Sequence, residues 1–203
     1  IEMACAAAGN GIAEILFSEH VRHTSTYFPG FAQEVRAVAV TGLRAFVGVE
    51  AKVLDLDGKL DVSPLTAALC DALIGSVHSR PLKSGGGVTG WSDMDSREAL
   101  RCELNLAMAI VTKSRAHILG HPLGIVISKY DMNPLDELEM LAIACREHDK
   151  AFELNARYCQ SPADWLQIVD GVGCKVNFGS DAHRAEDVGS SWKIFAPGQR
   201  GVL

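Results

Sequence analysis

With 203 residues, 48% of them hydrophobic and 22% charged, the chain has the length and apolar content for one globular domain with a substantial core. A net charge of −6 argues against nucleic-acid binding by bulk electrostatics. No apolar run approaches the ~18 residues that span a bilayer, and the start lacks the basic-then-apolar layout of a signal peptide, so no membrane association is expected. The six cysteines are scattered with no Cys-x-x-Cys pair, which fits the reduced core of a cytoplasmic protein rather than a disulfide framework or a thiolate zinc site.

In chain order, Ile1–Gly9 already reads as the middle of an element, as though a first segment preceded it. Ile12–Phe17 and Phe46–Leu54 have strand length and β-branched or apolar composition. Asp55-Leu56-Asp57-Gly58 reads as a hairpin turn between Val53-Leu54 and Leu60-Val62. It is not a calcium loop, because Lys59 and Thr66 stand where an EF-hand needs an oxygen ligand and its closing Glu. Ala72–Val77 is a third strand, followed by a long Gly-rich loop, Ser79–Asp93. That loop lacks the Gly-Lys-Ser/Thr ending of a phosphate loop and is either a surface loop or an active-site lid.

Helical spacing follows at Asp95–Ser114, where Leu100, Leu104, Ala107, Met108 and Val111 make an apolar stripe. Ala116–Gly120 is a strand, and Pro134–His148 a helix with its stripe on Leu138, Leu141, Ala142 and Cys145. Ala151–Asn155 is a strand, Ser161–Gly171 a helix with Ser161 as N-cap, Pro162 at its first position and Gly171 as its stop, and Cys174–Gly179 the last strand. Such alternation predicts parallel strands joined by crossover helices. The choice is between an open doubly wound sheet and a closed α/β barrel, and the lack of a Gly-rich turn after the first strand weakens the dinucleotide-binding version of the open sheet.

Residues able to bind metal recur at the C-terminal ends of these strands. His20 comes just after the first, Glu50 lies within the second, His78 follows the third, His121 the fourth, Asn155 ends the fifth, and Asp181 and His183 follow the sixth. In a barrel those ends share one face, where active sites sit. Imidazole with carboxylate suits zinc, manganese or iron better than calcium or magnesium. Glu50, set among Phe46, Val47, Val49 and Val53, would be costly to bury unpaired and so requires a cation, a metal or water. His117 starts a strand on the opposite face, His148 lies in a polar helix end, and His23 has a surface role at least as readily as a site role. No Ser or Cys sits in a nucleophile–base arrangement.

Ser18-Glu19-His20, Gly48-Val49-Glu50, Ser76-Val77-His78-Ser79, Ile118-Leu119-Gly120-His121-Pro122, Glu153-Leu154-Asn155 and Gly179-Ser180-Asp181-Ala182-His183 resemble, in order, the motifs of the PHP (polymerase and histidinol phosphatase) family. The resemblance implies a distorted (β/α)7 TIM-like barrel over residues 1–203, lacking its N-terminal first strand and that strand's His-x-His, with up to three divalent ions per chain. It implies that Glu50 bridges two metals, His78 and His121 bind one of them, Asp181 binds the other, and His20 and His183 help to bind a third. Glu50, Asp181 and His183 then stand closest to the chemistry. That chemistry is phosphate ester hydrolysis by a metal-activated water. Arg80, Arg157 and Arg184, just past strand ends, are the candidate phosphate ligands. The expected substrate is a small phosphorylated compound, with a nucleic-acid 3′ end less favoured. A metal-dependent amidohydrolase, or a degenerate PHP domain with a structural or regulatory role, are the alternatives.

Overall fold

The computed structural model describes residues 1–82 and 87–196. Six strands form one sheet in which every neighbouring pair is parallel: β1 (Glu14–His20), β2 (Arg44–Lys52), β3 (Ala72–Ser76), β6 (Ile118–Leu119), β7 (Ala151–Asn155) and β8 (Lys175–Gly179). Two further short strands, β4 (Arg80–Pro81) and β5 (Val88–Thr89), pair antiparallel. In the large sheet the spatial order is the chain order. A doubly wound sheet reverses direction at a switch point, and this one never does; its winding is that of a barrel. The sheet forms a half-barrel. Its edge strands β1 and β8 share no ladder among the described residues, yet both line one cavity of about 740 Å³.

The helices are α1 (Glu2–Gly9), α2 (Phe28–Arg36), α3 (Pro64–Leu69), α4 (Ser96–Lys113), α5 (Gly124–Tyr130), α6 (Leu135–Glu147), α7 (Pro162–Val172) and α8 (Ser190–Phe195), with a 3-10 turn at Ala185–Asp187. None is long and apolar enough to cross a membrane. The larger core lies between α4–α8 and the outer faces of β6 and β7, where Phe152 and Leu154 meet Leu106, Leu141 and Trp165. A second cluster packs Phe28, Ala32 and Val35 of α2 onto Val47, Val49 and Ala51 of β2. Strand periodicity sends the alternate residues, Glu50 on β2 and Glu153 and Asn155 on β7, to the cavity side.

Local chemistry sets the element ends. Asp95 caps α4 by accepting the Glu98 N–H at 2.8 Å, a contact of a kind that adds about 1 kcal/mol. The predicted stripe of α4 is shifted: Ala99, Glu103, Leu106, Ala107, Ile110 and Val111 are buried, while Leu100, Leu104 and Met108 are only partly so. The helix is covered on two sides, by the sheet and by α5 and α6, so its apolar stripe alone does not define the buried face. On α6 the predicted stripe is buried as expected. The stop of α7 is Gly173, which takes the left-handed conformation (φ 69°), and not Gly171, which stays helical. Ser161 precedes α7 without a capping bond. Asp55 ties the 55–58 hairpin through its Oδ1, which accepts from Asp57 and Lys59, and Val53 bridges to Leu60. The loop after β3 carries β4 and β5 and is pinned by buried Trp91; residues 83–86, within the Gly-rich run, lie outside the described residues.

Candidate metal centre and active site

The register of the central strands assembles the site. His20 on β1 is the lateral partner of Glu50 on β2. His78 lies two residues past β3, and His121 two past β6, where the Gly120 N–H still bonds the Gly75 carbonyl. These ends bring three donors together. Glu50 Oε1 is 3.1 Å from His78 Nε2 and 3.1 Å from His121 Nε2, and the two imidazole nitrogens are 3.2 Å apart. Donors around a tetrahedral ion with bonds of about 2.0–2.1 Å stand roughly 3.3 Å apart, so a small divalent cation fits this triangle almost without movement. His20 Nδ1 lies 3.8 Å from the other Glu50 oxygen, and His20, Glu50 and His78 offer ligand atoms within 4.8 Å of one another.

The imidazole of His121 is closely packed. It stacks on His78 (centroids 5.1 Å, 13° between planes), meets Tyr158 at 5.2 Å, and lies where a Cβ at Gly124 would come within 3.3 Å of its Nδ1. Burial opposes the charged form of His121, but the hydrogen bond and charge of Glu50, with the charges of Glu153 and Glu103, raise its pKa to about 9. Burial also raises the Glu50 carboxyl by itself; its bonds to His121 and His78 and the charges of His121 and His20 win and hold it well below the usual range. The pair is therefore ionic, with a proton on His121 doing part of the neutralising that a metal would do.

Asp181 and His183, beyond β8, line the same cavity as Glu50 and His121. Asp181 takes the left-handed conformation (φ 47°), accepts from Arg157 Nη1 at 2.6 Å, and has its other oxygen 4.0 Å from His183 Nδ1. Asn155 is buried at the end of β7; its Oδ1 accepts the Arg157 N–H, while its Nδ2 has no hydrogen-bond partner among the described residues. The other arginines are directed elsewhere. Arg80 is buried against Asp93 and the Gly90 carbonyl and lines a separate cleft, and Arg184 is exposed beside Asp187. His117 serves the fold, accepting the Leu73 N–H at 3.0 Å; His23 and His148 are exposed.

Two buried carboxylates have no role assigned from sequence, although Glu153 opens the Glu153-Leu154-Asn155 motif. Glu153 on β7 lines the cavity and accepts the His121 backbone N–H. Glu103 on α4 accepts the N–H groups of Ile125 and Val126. Desolvation pushes both up to about 7 against the pull of those bonds. Glu153 carries the signal that marks Glu50, a carboxylate inside an apolar strand. Glu103, in the middle of an amphipathic helix, resembles any solvated Glu.

No family model matches the chain. It is 25% identical over 202 residues to a protein named "probable phosphatase" of Caldicellulosiruptor bescii, covering 93% of this chain and 74% of that one. Proteins of the same description in Caldicellulosiruptor saccharolyticus and Photobacterium profundum are 24% and 23% identical over 201 residues, again across 74% of their length. The fold matches the crystal structure of histidinol phosphate phosphatase from Lactococcus lactis, complexed with zinc, L-histidinol and phosphate. The TM-score is 0.64 at 18% identity, over 96% of this chain and 85% of that one. With candidate metal ligands gathered around Glu50, likeness to probable phosphatases along nine-tenths of the chain and this shared fold, the comparisons support a metal-dependent phosphoester hydrolase.

Proposed function

We propose that the chain hydrolyses small phosphate monoesters at a centre held by Glu50, His78 and His121, with His20 beside it and Asp181 and His183 across the cavity. The observation that carries this is the triangle of one carboxylate and two imidazole donors, 3.1–3.2 Å on a side, of which Glu50 and His121 line a cavity of small-ligand size. Divalent ions there, with zinc first by likeness to the zinc-bearing neighbour, would lower the pKa of a bound water and neutralise charge on the phosphate. The cavity itself calls for them. Glu50, Glu153 and Asp181 all line it together with His20, His121 and His183, a mixed carboxylate and imidazole donor set suited to divalent transition-metal ions.

The chain's own residues do the rest. Arg157, held beside the site by Asp181, is the guanidinium assigned to the phosphate, whereas Arg80 is engaged by Asp93 and the Gly90 carbonyl and Arg184 pairs with Asp187. The unpaired Asn155 Nδ2 supplies a buried donor for a phosphate oxygen. Asp181 would hold a second ion and His183, 4.0 Å from it, would help to hold a further one with His20. The closed seven-strand barrel belongs to the same proposal, since the gap between β1 and β8 is where a further strand would close it. Among the described residues no lysine lines the cavity, which favours phosphate ester over amide hydrolysis, because amidohydrolases on such barrels commonly use a carbamylated lysine.

A panel of phosphomonoesters, a phosphodiester and an N-acyl amide, each assayed with added zinc or manganese, tests the proposal. Phosphate release from at least one monoester, abolished by chelator, is expected. Hydrolysis confined to the diester or the amide would overturn it.

A further inference from the structure

Two carboxylates outside the donor triangle are fully or nearly buried, Glu103 (0% exposed) and Glu153 (7%), and both accept from one stretch of backbone, Glu103 through two oxygens and Glu153 through one. Glu153 Oε2, reaching from β7, accepts the N–H of His121. From α4 on the other side, Glu103 Oε1 accepts the Ile125 N–H and Oε2 the Val126 N–H, each at 2.9 Å. The segment between these anchors is strained. His121 (φ 26°) and Leu123 (φ 58°) are both left-handed without being glycine, a conformation that persists only where surroundings over-determine it. Leu123 begins α5 with no side-chain cap, and a seven-residue helix is too short to hold its own first turn. A carboxylate suits this position because it offers two acceptors and no donor, so one side chain holds two adjacent N–H groups, whereas an amide offers one acceptor and two donors.

The opposite strand leaves room for this arrangement. A Cβ on Gly179 would fall 1.5 Å from Glu153 Oε1, so the glycine of β8 is what allows the Glu153 side chain to lie across the sheet to His121. The imidazole itself is bonded by neither glutamate. We propose that Glu103 and Glu153 are a pair of positioning residues that clamp the His121–Val126 turn from both sides and so aim His121 Nε2 at Glu50 and His78. The pair acts on His121 through the backbone, by the bonds to the N–H groups of His121, Ile125 and Val126. The inference rests on His121 being a metal donor.

Cobalt(II) titration of the purified chain, followed by visible absorbance, tests both statements separately. Wild type is expected to bind cobalt with a ligand-field spectrum. Glu103→Gln and Gly179→Ala, the second moving Glu153 without altering its charge, are expected to weaken cobalt binding about 10- to 100-fold and to change the spectrum while the circular dichroism stays that of a folded protein. Val169→Ala, in the α7 core, serves as the stability control: it should lower the melting temperature and leave affinity and spectrum alone. Cobalt affinity and spectrum unchanged in Glu103→Gln, or weakened as much by Val169→Ala, would overturn the clamp. If Gly179→Ala does not fold, Glu103→Gln decides. Failure of wild type to bind cobalt would instead remove the donor role of His121, and the clamp with it.

Discussion

The two sides of the cavity are built differently. On the central strands, Glu50 and His121 keep only 13% and 10% of their side-chain surface, and His121 is packed by His78, Tyr158 and Gly124 and tied by Glu153. On the edge strand β8, His183 is 69% exposed, and Asp181 is partnered by Arg157, itself 60% exposed. A strand flanked on both sides fixes its terminal residues by register, whereas an edge strand fixes them from one side. The central group is therefore pre-organised for a cation, and the edge group can adjust to a second ion or to substrate.

The largest effect expected on the central side is a dependence on pH. His121 has a pKa raised to about 9, so its ionic contribution to the stability of the metal-free protein is complete below about 6.5 and disappears as pH rises through about 9. A cation must displace that proton. Zinc affinity, measured against a competing chelator, should rise about tenfold per pH unit from roughly 7 to 9 and then level off. Over the same window the melting temperature of the metal-free protein should fall. A flat affinity profile would mean that His121 is neutral at pH 7 and the central pair is not ionic.

On the edge side, Asp181→Asn should reduce turnover about 10- to 100-fold while leaving the tightest-bound zinc in place. Its effect on stability should stay within about 0.5 kcal/mol, because the residue is near the surface. Loss of the tightest zinc would show that the two sides are one centre. The smallest effect is expected at Arg157. Arg157→Ala should raise KM several-fold with little change in kcat, as for a contact made equally in ground and transition states. The ion pair it breaks is exposed and worth about 0–1 kcal/mol to the fold. A fall in kcat at unchanged KM would place Arg157 in the transition state instead.

The same division governs what is legible in the sequence. Strands of the central sheet announce themselves as short apolar runs, and their terminal His, Glu and Asp residues stand out because polar ligands are rare in such runs. The start of α4 is legible because Asp95 and Glu98 make a local cap. The stop of α7 is not, since Gly171 and Gly173 are equally good candidates until one takes a positive φ. Arg80 follows His78 by two residues, a spacing that suggests a substrate contact, but Asp93, thirteen positions later, takes its guanidinium; nothing local in sequence announces that pairing. Glu103 is hidden for the same reason, because its partners Ile125 and Val126 arrive through tertiary packing. Closure of a barrel is also beyond reach. Period and spacing give strand order and direction, and the curvature comes from how the helices pack.

The central claim is that Glu50 holds a catalytic divalent ion, and Glu50→Gln tests it most directly, with zinc content and phosphate release measured on the same preparations. The amide keeps the volume but loses the charge that balances His121 and attracts a cation. We predict a folded protein whose zinc content and phosphomonoester hydrolysis fall together, by more than the roughly 10- to 100-fold typical of a residue that only supports a ligand. Wild-type zinc content and wild-type phosphate release in that variant would contradict the account.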